Sequence, residues 1–155
     1  MSSATSGTAG GGPEGSKAVR PVGPYTPVLR MGAWAVTSGQ VGAAPGPDGR
    51  PQIVGGGVEA ELRQALANVA RLLEGEGLAL ADVVKATVFM VDIADYTVMN
   101  RIWLDTFGDN RPTRSAVAVA ALPMGAKVEV EAWAYRPEPG QSPAAGVGRA
   151  PIQPA

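Results

Sequence analysis

The chain contains no cysteine and no histidine. Without cysteine there is no disulfide, no thiolate nucleophile and no zinc-thiolate site. Without histidine, Ser-His-Asp and Cys-His catalysis and imidazole-bound metals are excluded as well. A general base acting near neutral pH must be a carboxylate, a lysine, a tyrosine, or water held by one of them. Aromatic residues are few, with three Trp, three Tyr and two Phe, and they do not interleave with a basic run as a single-strand-binding surface requires. Net charge is nearly absent: 13 Lys and Arg oppose 14 Asp and Glu, leaving −1, so no field gathers phosphate backbones and no nucleic-acid partner is expected. No stretch approaches the roughly 18 uninterrupted apolar residues of a membrane helix, and the first residues lack the basic and apolar regions of a signal peptide. A cytoplasmic location with no membrane partner is expected.

Glycine and proline, by contrast, are abundant, at 21 and 14 residues. They concentrate at the ends: residues 1–16 and 137–155 hold too little apolar surface to offset their chain entropy and read as disordered tails. The single domain expected between them, 17–136, belongs to a chain of 155 residues, a size that buries roughly two-thirds of its unfolded surface.

Within that domain, Pro27–Arg30 and Trp34–Ser38 flank Gly32 as a hairpin. Residues 42–51, with three prolines and three glycines, read as an irregular surface loop. A short strand is expected at Gln52–Val54, and the run Gly55–Gly57 reads as a turn because it carries neither a GxGxxG nor a Walker pattern. Val58, Leu62, Ala65, Leu66, Val69, Leu72 and Leu73 repeat at helical spacing, and Gly75 and Gly77 stop the helix. Val84–Val91 is β-branched and apolar apart from Lys85, as in a central strand covered on both faces. Asp92 or Asp95 caps a second helix whose stripe of Tyr96, Met99, Trp103 and Phe107 reads as core. Two further strands, at Arg111–Val119 and Lys127–Tyr135, are separated by a Pro/Gly turn. The order predicts an α+β fold, a single mostly antiparallel sheet with two helices on one face. The other face is left uncovered, with Arg114, Glu129 and Glu131 expected on it.

Alternation in the last two strands groups Arg114 with Ala116 and Ala118, and Glu129 with Glu131, opposite Val128, Val130, Ala132 and Ala134. Small neighbours leave room beside the Arg114 guanidinium, whose planar fork suits a carboxylate. From spacing alone, Arg114 either opens a pocket for a small acid or pairs with Glu129 or Glu131.

Several blocks, in this order along the chain, are similar to the Rid (reactive intermediate deaminase, YjgF/RidA) family: Gly23-Pro-Tyr-Thr26, Thr37-Ser-Gly-Gln40, Asp82-Val-Val-Lys-Ala-Thr-Val-Phe89, Asn100, Arg111-Pro-Thr-Arg-Ser115 and Leu122-Pro-Met-Gly-Ala-Lys-Val-Glu-Val-Glu131. The resemblance implies the fold shared with trimeric, bacterial-type chorismate mutase and a homotrimer with sites between subunits. It implies hydrolysis of small carboxylate-bearing imines and enamines such as 2-iminopropionate and 2-aminoacrylate, with no cofactor and no metal. Carried over by position, Arg114 grips the substrate carboxylate and Glu129 positions the attacking water. Tyr25 lines the pocket, while Gly39 and Ala116 contribute backbone contacts. Asn100 matches a recurrent helix asparagine and reads equally as a helix-side hydrogen bond that fixes a loop. If Glu129 is desolvated, its pKa rises toward the operating pH. Pro27, Thr113 and Met124 depart from the pattern, where glutamine, alanine and lysine are usual, and Pro27 reshapes the pocket wall. With the Pro/Ala/Gly-rich composition and long tails, they fit a specialised paralogue in a biosynthetic pathway. The alternative is a ligand-binding or pathway-accessory protein of the same fold, and a ribonuclease is disfavoured by the missing histidines and basic patch.

Overall fold

The structure is a computed structural model describing residues 23–137. Residues 17–22 of the expected domain, the 1–16 tail and all of the 137–155 tail but Pro137 lie outside the described residues. Along the chain run β1 (Val28–Met31), β2 (Trp34–Thr37), β3 (Gln40–Val41), β4 (Ala43–Pro45), β5 (Pro51–Ile53), α1 (Gly57–Gly75), β6 (Val83–Met90), α2 (Tyr96–Phe107), β7 (Thr113–Ala118) and β8 (Val128–Tyr135). The main sheet has the order β1-β2-β8-β6-β7, with β3 also paired to β8. Every pairing in it is antiparallel except β6 with β7, which α2 joins as a crossover. The expected α+β fold is what the chain adopts.

Both helices cover one sheet face. Leu62, Leu66, Val69 and Leu73 of α1 and Met99, Ile102 and Trp103 of α2 are buried against Ala86, Val88 and Met90 of β6 and Val128, Val130, Ala132 and Ala134 of β8. The apolar stripes read from the sequence supply this core, worth roughly 1.5–3 kcal/mol per large buried side chain. At the end of α1, Gly77 takes a φ of 72°, and the N–H groups of Gly77 and Leu78 donate to Glu74 and Leu73 carbonyls, closing the helix in a Schellman turn. Of the two candidate caps, Asp92 caps the single 3-10 turn Ile93–Asp95 that leads into α2, its Oδ1 accepting from the Ala94 N–H at 2.8 Å, while Asp95 stands at the N-cap of α2 without a side-chain cap bond. Arg63 with Asp105 and Arg101 with Glu59 tie the outer surfaces of the helices together. No helix of the described residues is long and apolar enough to cross a membrane.

Three expectations are corrected. The stretch 42–51 is not irregular throughout: β4 and β5 form a two-stranded ribbon in which Pro45 pairs with Pro51. The prolines sit at the ribbon's end, where a missing donor costs no ladder bond, and Asp48 Oδ1 accepts from the Arg50 N–H in the turn beyond. Strand β6 is covered on one face only. Val83, Ala86, Val88 and Met90 are buried, while Lys85, Thr87 and Phe89 are half-buried on the open side, where Lys85 Nζ donates to Ser115 Oγ of β7. Third, Arg114 is not on the open face. It pairs with Ala86, which pairs with Ala132 in the helix-covered core, whereas Glu129 pairs with Phe89 and Glu131 with Thr87. Cross-strand partners share a face, so Arg114 and the two glutamates point to opposite sides.

Candidate active site

The residues singled out from sequence fall into two clusters. The first is a cleft of about 230 Å³ at the β3 end of the sheet, lined by Tyr25, Gly39 and Glu129 together with Pro27, Ser38 and Met124, among others. It exists because the β2–β8 ladder breaks there. Pairing runs from Trp34 to Val36 and resumes at Gln40, and the buried Thr37 hydroxyl fills the gap by accepting from the Ala132 N–H at 3.0 Å. Ser38 and Gly39 are released from the ladder. Gln40 Nε2 holds them by donating to the Ser38 and Gly39 carbonyls, at 3.1 and 3.0 Å. Ser38 in turn anchors the wall, its hydroxyl donating to the Thr26 carbonyl at 2.7 Å and its N–H to the Pro27 carbonyl at 2.8 Å.

Gly39 is the one residue type that fits beside Glu129. A Cβ there would lie 1.7 Å from Glu129 Oε1, far inside contact distance, so the bare backbone makes the seat for the carboxylate. Burial in this seat pushes the Glu129 carboxyl above the ordinary glutamate range, and the like charge of Glu131 adds to the shift. No ion pair of Glu129 is found among the described residues. A half-buried carboxylate of raised basicity facing a cleft can accept and return a proton.

Arg114 anchors the second cluster, on the helix side of β7. Its Nη2 donates to Asn100 Oδ1 at 2.7 Å and to the Tyr96 hydroxyl at 3.4 Å. The guanidinium carbon lies 5.0 Å from the Trp103 ring centroid and 5.6 Å from that of Tyr96, distances at which a ring face attracts a cation. Asn100 therefore holds the arginine rather than a loop. Ala116 lies two residues along the same face, half-buried against the core. The ion pair of Arg114 with Glu129 or Glu131, left open by spacing, is ruled out within one chain by their opposite faces. Within one chain the structure brings together Tyr25, Gly39 and Glu129, and separately Arg114, Asn100 and Ala116.

Tyr96 and Trp103 were read from sequence only as core, and they frame Arg114 instead, though Trp103 is buried as well. Their positions at i and i+7 around Asn100 put all three on one helix stripe. Recognising that stripe required knowing which sheet face α2 covers. Two buried polar residues were also missed. Asn68 donates to the Val41 and Ala43 carbonyls at 3.1 and 2.9 Å and fixes the bend beside the cleft. Glu61 Oε2 accepts from the Lys127 N–H at 2.7 Å and aligns the start of β8.

The chain is thus a small α+β domain with a carboxylate seated in a cleft on one side and an arginine held by an asparagine and two rings on the other. The chain belongs to the YjgF/RidA (Rid) family: residues 15–136 match the family described as endoribonuclease L-PSP. It is 40% identical over 121 residues to the human 2-iminobutanoate/2-iminopropanoate deaminase, covering 78% of this chain and 86% of that protein. A RutC family protein of Pyrococcus horikoshii is 36% identical over 119 residues, covering 77% and 92%. Among solved structures, RidA from an Antarctic Psychrobacter superposes with a TM-score of 0.71 at 34% identity, covering 77% of this chain and 94% of that one.

Proposed function

We propose that the chain is a hydrolytic deaminase of small 2-imino acids and their enamine tautomers, releasing a 2-keto acid and ammonia, as the names of the deaminase relatives suggest. The observation that carries this reading is Glu129, a carboxylate of raised pKa seated against the Gly39 backbone in an open cleft. In the reaction water adds to the C=N carbon of the protonated imine while Glu129 takes a proton from it, giving a carbinolamine. The protonated Glu129 then gives that proton to the departing nitrogen, the carbinolamine hydroxyl passes its own proton back to Glu129 as the C–N bond breaks, and the keto acid results together with ammonia, which leaves as ammonium with that last proton. The proton cycles on one residue, so this acid–base step asks for no second titrating group.

In this reading Arg114 binds the substrate carboxylate through its fork, held by Asn100 and stacked near Tyr96 and Trp103. Because Arg114 and Glu129 point to opposite faces of one sheet, they meet only across a subunit boundary. The working form is a cytoplasmic homotrimer with three composite sites. Supporting this, the open face exposes Leu29, Met31, Trp34, Val117 and Trp133, more apolar surface than a lone sheet face ordinarily leaves to water. Tyr25 lines the pocket, and the Gly39 and Ala116 backbones face the substrate. Alignment of water and imine between the two charges is worth on the order of 7 kcal/mol at the low end.

The test is ammonia release from 2-iminopropionate generated in place by an amino-acid oxidase. Acceleration over the spontaneous rate, lost in Glu129→Gln, is the expected result. Tight binding of 2-keto acids without acceleration would point instead to a ligand-binding protein of the same fold.

A further inference from the structure

A guanidinium meets a carboxylate at two points along an edge that includes Nη2, paired either with Nε or with Nη1. In Arg114 that nitrogen has two acceptors, Asn100 Oδ1 at 2.7 Å and the Tyr96 hydroxyl at 3.4 Å. The first is a strong bond. The second is longer than the roughly 2.7–3.2 Å of a well-made N–H···O bond. The Tyr96 hydroxyl therefore holds only loosely a point at which a carboxylate oxygen would bind. Tyr96, Asn100 and Arg114 belong to one chain, so this arrangement does not depend on how subunits meet.

The fold itself asks nothing of that hydroxyl. Tyr96 opens α2, its backbone N–H donates to the Ile93 carbonyl of the turn before it, and the residue is 43% exposed. Its ring lies 5.6 Å from the guanidinium carbon, and a phenylalanine ring would offer the cation the same face. What tyrosine adds is an oxygen turned towards a positive charge. A hydroxyl rotates to suit its neighbours, and with its oxygen facing a cation its own proton turns away from Arg114 and is left to donate. The charge beside it also polarises the O–H bond and strengthens it as a donor.

We propose that Tyr96 is a substrate-binding residue whose hydroxyl donates to the carboxylate oxygen held by Arg114 Nη2, and that it favours an anionic carboxylate over a neutral amide at that end of the substrate. The proposal rests on the deaminase reading above, in which Arg114 receives the carboxylate. As the carboxylate takes its place on Nη2, the Tyr96 oxygen gives up its weak bond and the hydroxyl changes from acceptor to donor. The carboxylate then has two donors from the guanidinium and a third from the phenol, the last a charge-assisted bond. A neutral amide oxygen in the same place forms a weaker bond to the hydroxyl.

The experiment compares the full chain with Tyr96→Phe, which keeps the ring and removes the hydroxyl. Calorimetric titration measures the dissociation constants of pyruvate, the 2-keto acid product, and of pyruvamide, its neutral counterpart. For pyruvate the constant should rise about tenfold in the variant, the size of a hydrogen bond to a charged group, and for pyruvamide about threefold or less. KM for 2-iminopropionate should rise with the pyruvate constant while kcat falls less, the pattern of a contact made alike in ground and transition states. An unchanged pyruvate constant, or the same factor for pyruvate and pyruvamide, would overturn the proposal and leave the deaminase reading standing. Pyruvate bound by a native chain that does not accelerate imine hydrolysis would overturn the deaminase reading, with the role of Tyr96 still decided by the two titrations.

Discussion

Arg114 on β7 and Glu129 on β8 flank β6 in one sheet yet face opposite sides of it, Arg114 towards α2 and Glu129 towards the cleft at Gly39. Each is prepared by its own neighbours, the arginine by Asn100 and two aromatic rings, the glutamate by burial and a bare backbone. On the proposed reading they serve a common substrate only where a second copy of the chain brings one face against the other.

Arg114→Lys should lose most deaminase activity although the charge is kept. An ammonium is a point charge that cannot hold Asn100 and a carboxylate in one plane. Steady-state kinetics on 2-iminopropionate would measure this, with a rise in KM of about tenfold or more expected, and near-normal turnover would remove the arginine from substrate binding.

Glu129→Gln should lower kcat by about 10² or more with little change in KM, the pattern of a lost proton acceptor. Glu131→Gln should do less and act differently. Removing its like charge lets Glu129 ionise more easily, so the acidic limb of the pH–rate profile should move to lower pH. A limb that stays in place or moves to higher pH would contradict the coupling.

Gly39→Ala should behave as a catalytic lesion in a folded protein. The added methyl would overlap the Glu129 carboxylate, and the side chain, being half-buried at the cleft, swings away rather than unfolding the sheet. We expect kcat to fall towards that of Glu129→Gln, while the thermal midpoint drops by only a few degrees.

Glu61→Ala tests stability alone. It leaves the Lys127 N–H without its acceptor beneath α1, at a cost of roughly 1–3 kcal/mol, whereas Glu61→Gln keeps an oxygen there and should cost less. Denaturant midpoints would rank the two.

Much of this arrangement was legible in the residues. Helical spacing located α1 and α2, and period-2 alternation correctly separated the buried Val128, Val130, Ala132 and Ala134 from Glu129 and Glu131. The same alternation grouped Arg114 with Ala116 but could not say which side the helices would take. That side is set by the parallel pairing of β7 with β6 through α2, a long-range choice with no local signature. Of the two-stranded ribbon, β5 was legible as the short strand expected at Gln52–Val54, but β4 and its pairing were hidden because proline suppresses strand propensity everywhere except at the ends where it stands here. The positive φ of Met124, 60°, left no trace either, since methionine rarely adopts it.

Subunit mixing tests the composite site most directly. Arg114→Lys and Glu129→Gln, each poorly active alone, would be unfolded together, refolded at equal amounts and assayed for ammonia release. If each site takes its arginine from one subunit and its glutamate from the next, about a quarter of the sites carry both native residues and activity returns to roughly that fraction of the native level. If both residues act within one chain, no site in the mixture is intact, and activity stays at the level of the two parents.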